Sequence, residues 1–171
     1  MADPTTSTGP DPVAAVVVPS GAPLLDAARW VGHVCWAELR FHQVLTGWLA
    51  LEPDPVLATT LWQIRAGRAD LAEAWHRRLP ELRELPRAGF VEPSGEAEAG
   101  FAALVALEDP QASRARALAL AAALEGVQDH YQAHVAVAVG PADGPVAATL
   151  AAAVARTEAD LGALAAATPA A

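Results

Sequence analysis

Four helical stretches each carry an acidic or imidazole side chain in or beside an apolar stripe: Glu38, the pair Glu73 and His76, His134, and Glu158. Turning such a group into a helical core is costly unless it is hydrogen-bonded, paired with opposite charge or bound to a metal. Glu73-Ala-Trp-His76 is an E-x-x-H spacing, and residues three apart share one face of a helix, so both side chains could reach one metal ion. Mixed carboxylate and imidazole ligation suits Fe or Mn. Glu38, Glu73, His76, His134 and Glu158 are therefore candidate metal ligands, with Glu38 and His134 the candidate catalytic groups. Each also has a plainer reading. Glu38 could be a buried carboxyl paired with an Arg, Glu73 and His76 a solvated pair, and His134 a hydrogen-bonded core histidine beside Tyr131. His42, one turn after Glu38, could orient it, while His33 and His130 read as peripheral.

The elements that must position these groups follow from apolar periodicity and proline punctuation. The first long segment runs from Pro23 to Glu52, its stripe Leu24, Ala28, Val31, Cys35, Glu38, His42, Leu45 and Leu49. Pro53 and Pro55 end it. The second runs from Pro55 to Leu79 behind an Asp54 N-cap. It carries two stripes: Leu57, Leu61, Ile64, Leu71 and Trp75, or Trp62, Ala66, Ala69, Glu73 and His76. They leave its inward direction open. Residues 80–95 are rich in Pro and Gly and read as an irregular connection, followed by a short helix over Glu96–Leu107. Asp109-Pro110 reads as the start of a third long helix reaching Val139, its stripe Leu120, Leu124, Val127, Tyr131, His134 and Ala138. A compact turn at 140–145 leads into a fourth over Pro145–Ala166, with stripe Leu150, Val154, Glu158, Leu161 and Ala165. No strand pattern is evident. Residues 1–22 read as a disordered arm and 167–171 as a frayed tail around one domain, 23–166. The five Trp residues all fall on the first two long helices and read as packing, with a few free to line an apolar substrate pocket.

This order, helix pair, long connection, helix pair, resembles the ferritin-like superfamily over residues 23–166. The stretch from Val31 to Pro80 also resembles small ferritin-like proteins of high-GC bacteria. The resemblance implies an all-α antiparallel four-helix bundle with a long crossover, holding a two-iron or two-manganese centre. It would make Glu38 the carboxylate of the first helix, Glu73 and His76 the first E-x-x-H pair, and Glu158 the opening of a second. The chain departs from that pattern. Leu161 stands where the second pair calls for His, and the third long segment offers His134 in place of an inward carboxylate. One metal thus fits better than two. The implied function is a non-haem Fe or Mn oxidoreductase acting on a small organic substrate. The alternative is a metal-free bundle whose buried Glu/His network binds a small molecule or performs non-redox acid–base catalysis.

Composition limits the rest. The 171 residues suit one domain, and the formal charge of −9 argues against nucleic acid and anionic membranes as partners. All 11 basic residues are Arg, which points to a high-GC coding sequence. Cys35 is the only cysteine, so an intrachain disulfide is excluded and a reducing, cytoplasmic setting fits. The N-terminus lacks the pattern of a signal peptide, and the longest apolar runs fall short of the roughly 20 residues a bilayer demands. The sequence leaves the substrate open, and with it whether the chain forms a homodimer.

Overall fold

A computed structural model of the chain describes residues 23–95, 97–136 and 144–168. The arm expected at 1–22, most of the turn expected at 140–145, and residues 169–171 of the tail lie outside them. The described residues are all-helical. They form α1 (Leu24–Leu49), α2 (Pro55–His76), α3 (Ala97–Val105), α4 (Ser113–Val135) and α5 (Gly144–Ala167), with a 3₁₀ turn at Arg87–Phe90 and no strand. None of these helices is long and apolar enough to cross a membrane.

Local chemistry sets the ends. Asp54 caps α2 by accepting hydrogen bonds from the backbone N–H of Val56 (2.8 Å) and Leu57 (2.9 Å), with Pro55 in the first turn. That is the expected cap. The start of α4 differs from expectation. Asp109 Oδ1 accepts from the Gln111 N–H at 2.9 Å, which closes a turn, and the helix begins only at Ser113. Tertiary contacts explain the delay. The Asp109 carbonyl accepts from the Arg116 guanidinium, and the Ser113 hydroxyl donates to Glu52 at 2.7 Å.

α1 and α2 are antiparallel. Trp30 meets Trp75 edge to face with centroids 5.5 Å apart, Cys35 Sγ donates to the Ala72 carbonyl, and Arg65 reaches Thr46. α1 is also antiparallel to α4, with Trp30 against His134, Glu38 against Tyr131, and Glu52 against Arg116. α5 packs on both α2 and α4. The core fills this space with Trp30, Phe41, Leu45, Leu57, Leu61, Trp75, Leu120 and Leu124.

The chain between α2 and α4 climbs along α1. Phe90 is buried where α1 carries Gly32, and a Cβ at Gly32 would lie 1.9 Å from the Phe90 carbonyl oxygen. Only glycine lets the two backbones approach so closely. Phe101 of α3 then packs edge to face on Trp36 and Phe41, at 5.4 and 4.8 Å.

Candidate functional site

α1 carries Glu38 into the centre of the protein, where the residue is 0 % exposed. Opposite it on α2 stands Arg68, equally buried. Arg68 fills the gap in the stripe Leu57, Leu61, Ile64, Leu71, Trp75, so the apolar face of α2 delivers it inward as a matter of register. Its Nη1 faces both Glu38 oxygens, at 3.3 and 3.4 Å, and donates to Thr157 Oγ1 at 3.1 Å. Its Nη2 donates to Asp160 Oδ2. Tyr131 of α4 donates its hydroxyl to Glu38 Oε1. All four long helices therefore meet at one guanidinium and the carboxylates around it.

A second cation completes the charge balance. Arg156 donates from Nε to Asp160 Oδ1 at 2.9 Å and from Nη2 to the Gln63 carbonyl at 2.7 Å. It lies over Gly67, where any side chain would collide with its guanidinium. Two buried carboxylates thus face two guanidiniums, Arg68 in the interior and the half-buried Arg156 at its edge.

The protonation states follow from burial and these partners. Burial, the largest influence on Glu38, raises its carboxyl pKa, against the pull of Arg68 and the Tyr131 hydrogen bond. Burial alone would lower the Arg68 pKa, but Glu38 and Asp160 more than reverse it, so the guanidinium stays charged. Burial and then the Glu38 charge push the Tyr131 phenol well above its ordinary value and keep it a hydrogen-bond donor. Cys35 is raised to about 11 by burial and then by Glu38, which leaves an inert thiol.

The remaining candidate residues do not join this centre. The second helix turns its other stripe outward: Glu73 is exposed and pairs with Arg77 at 3.3 Å, His76 is half-buried, and Trp62 is 55 % exposed. Glu158 is exposed, which corrects its expected inward placement. Thr157 and Asp160 take the inward positions of α5 instead. The cause is the Ala-rich sequence of α5, in which neighbouring stripes are almost equally apolar. His134 is buried, as expected, but its ring stacks on Trp30 with centroids 3.6 Å apart, and Glu38 takes its hydrogen bonds from Tyr131 and Arg68. His130, expected at the periphery, is buried too, its Nε2 accepting from Trp30 Nε1 at 3.0 Å. His33 is half-buried and its Nδ1 is 2.8 Å from the Glu92 carbonyl oxygen. Trp30, Trp48 and Trp75 pack in the core.

The donor set does not fit the Fe or Mn centre that the resemblance implies. Glu73 and Glu158 point away, Glu38 is engaged by Arg68 and Tyr131, and a fixed guanidinium sits where a divalent cation would be repelled. Among the described residues, no group of three or more His, Cys, Asp or Glu is gathered to hold a metal ion. Arg68 and Asp160 escaped the sequence reading, although the break in the α2 stripe was a signal for Arg68.

A second buried pair fastens the other end of α1. Glu52 receives Arg116 Nη2 at 2.7 Å, the Ser113 hydroxyl, and the Asp54 N–H at 3.0 Å. Burial works to raise the Glu52 pKa, but the hydrogen bonds from Arg116 and Ser113 outweigh it and the carboxyl is held below its ordinary value. No family model matches this chain, and no curated protein or solved structure matches it either.

Proposed function

We propose that this chain is a metal-free, ferritin-like four-helix bundle that binds a small molecule, with residues 77–112 as its long crossover. The architecture is supported by the antiparallel packing of α1 on α2 and on α4, and by the climb of Phe90 and Phe101 along α1. The observation that carries the functional reading is the place of Arg68. Its guanidinium joins carboxylates of α1 and α5 and lies beside the Glu38 that holds Tyr131 of α4. In a ferritin-like bundle that is the task of the metal. A permanent organic cation performs it without redox chemistry. Glu38 is also closed to a substrate by its burial, so binding is the better reading than acid–base turnover at this carboxylate.

The test is elemental analysis of protein made without a metal-binding tag, in medium supplemented with iron and manganese. We expect far less than one equivalent of either metal. A stoichiometric metal that is lost on Glu38→Gln would overturn the reading and restore the oxidoreductase.

A further inference from the structure

The C-terminal half of α1 and the end of the crossover enclose a cleft of about 360 Å³, lined by Gln43, Val44, Gly47, Trp48, Leu51, Val105 and Glu108. That size falls in the range of small-molecule sites. We propose that this cleft binds a small organic cation: an ammonium group on an apolar, ring-sized body. The proposal rests on the small-molecule reading above and names its site and ligand class.

Two sides of the cleft fit the two parts of such a ligand. Val44, Trp48, Leu51 and Val105 give an apolar wall on which a ring or short alkyl chain would lose its water. Glu108 gives a carboxylate that is exposed and has no ion-pair partner among the described residues. A free carboxylate at the edge of an apolar wall favours an ammonium on an apolar body, through charge attraction. The nearby cation is turned aside. Arg40 Cζ lies 5.8 Å from the centroid of the Trp36 ring, and Nη1 donates to Gln43 Oε1 at 2.6 Å. The net charge of −9 adds a field that gathers cations around the protein.

Gly47 lines the same cleft. It lies within α1, where glycine is a poor helix former. A Cβ added there would meet no atom within 4 Å, so the packing of the protein does not require glycine. At Gly32, by contrast, the Phe90 backbone leaves no room for a side chain. Because position 47 is part of the lining, a larger side chain there would fill the space a ligand needs.

Calorimetric titration of the full chain with phenethylamine, 2-phenylethanol and 3-phenylpropionate separates charge from shape. Phenethylamine is expected to bind at least about tenfold more tightly than the alcohol, and the carboxylate most weakly. Glu108→Gln should bring the amine and the alcohol to similar affinity. Gly47→Leu should abolish binding of both while the thermal unfolding temperature is kept or raised. Glu108 is at the surface, so that variant stays informative even if Gly47→Leu misfolds. Equal affinity for the three probes, no binding of phenethylamine, or an amine preference that survives Glu108→Gln would each overturn the proposal. Metal content is measured separately. An amine-binding protein that also carries stoichiometric iron would sink the metal-free reading and leave the cleft standing, and the reverse result would do the opposite.

Discussion

Arg68→Ala is expected to cost about 3–5 kcal/mol of folding stability, the penalty for leaving a buried charge without its partner. Glu38 would keep only the Tyr131 hydroxyl, and Asp160 only Arg156. The loss should depend on pH, and its sign is fixed by Glu38. Its carboxyl pKa is already raised by burial, and Arg68 is the strongest influence holding it down. Without the guanidinium the folded value climbs further above the unfolded value of about 4.3. A group raised on folding contributes stability that is present below its unfolded pKa and lost as pH rises through the folded one. The variant should therefore be closest to wild type in acid and fall furthest behind at neutral pH. Urea unfolding at a series of pH values measures this. Adding Glu38→Gln to Arg68→Ala should recover part of the loss, and a double variant no better than the single one would contradict the account. The pair is not needed for stability as such. An apolar set of similar volume at 38, 68 and 160 could match the wild type, because charges buried together repay little more than their desolvation.

Arg116→Ala is the second large effect, also about 3–5 kcal/mol, since both side chains of the Arg116–Glu52 pair are removed from solvent. Its pH dependence has a different origin. Here the native carboxyl is lowered, chiefly by hydrogen bonds from Arg116 and Ser113 that overcome burial. Such a group contributes stability above its unfolded pKa and loses it as pH falls through the folded pKa. Wild type should therefore show a loss of stability in acid that the variant lacks in part. The gap between them should be widest at neutral pH and narrow below about pH 4. A gap that stays constant to pH 2 would show that Glu52 is not the group responsible. Both variants can be followed by circular dichroism, because the regular elements among the described residues are all helices.

The comparison of these two centres with the sequence shows what periodicity can and cannot resolve. The helices were legible because proline and Asp54 mark their ends and because large residues such as Trp30, Phe41, Leu61 and Trp75 define faces that tolerate little rotation. Glu38 was legible for the same reason, set among bulky neighbours on α1. α5 offers no such anchor. Leu150, Ala153, Thr157, Asp160 and Leu164 make its buried face, but the neighbouring stripe of Val154, Leu161 and Ala165 around Glu158 is just as apolar on paper. A turn of 100° between adjacent residues exchanges Glu158 for Thr157. The E-x-x-H pair failed differently. Glu73 and His76 do lie near each other on one side of α2, but the bulk of Leu57, Leu61, Ile64 and Trp75 commands the interior. Arg68 is hard to read from sequence because a charge within an apolar stripe looks like an interruption, when here it is the inward residue itself. The partners that make its burial tolerable come from 89, 92 and 30 residues away, at Thr157, Asp160 and Glu38. No local pattern records them.

Cys35 gives the molecule a built-in clock. It is the sole cysteine of the chain, its Sγ donates to the Ala72 carbonyl at 3.3 Å, and its thiol is raised to about 11. A disulfide reagent added to the folded protein therefore has one target, and that target is shut by its neighbours and by protonation alike. Reaction must await a parting of α1 from α2 around this residue. The rate at which the thiol is labelled, set against that of the unfolded chain, gives the free energy of this one local opening rather than an average over the whole fold. Because Cys35 is one helical turn from Glu38, the same clock would run faster in Arg68→Ala and keep its pace in Glu108→Gln.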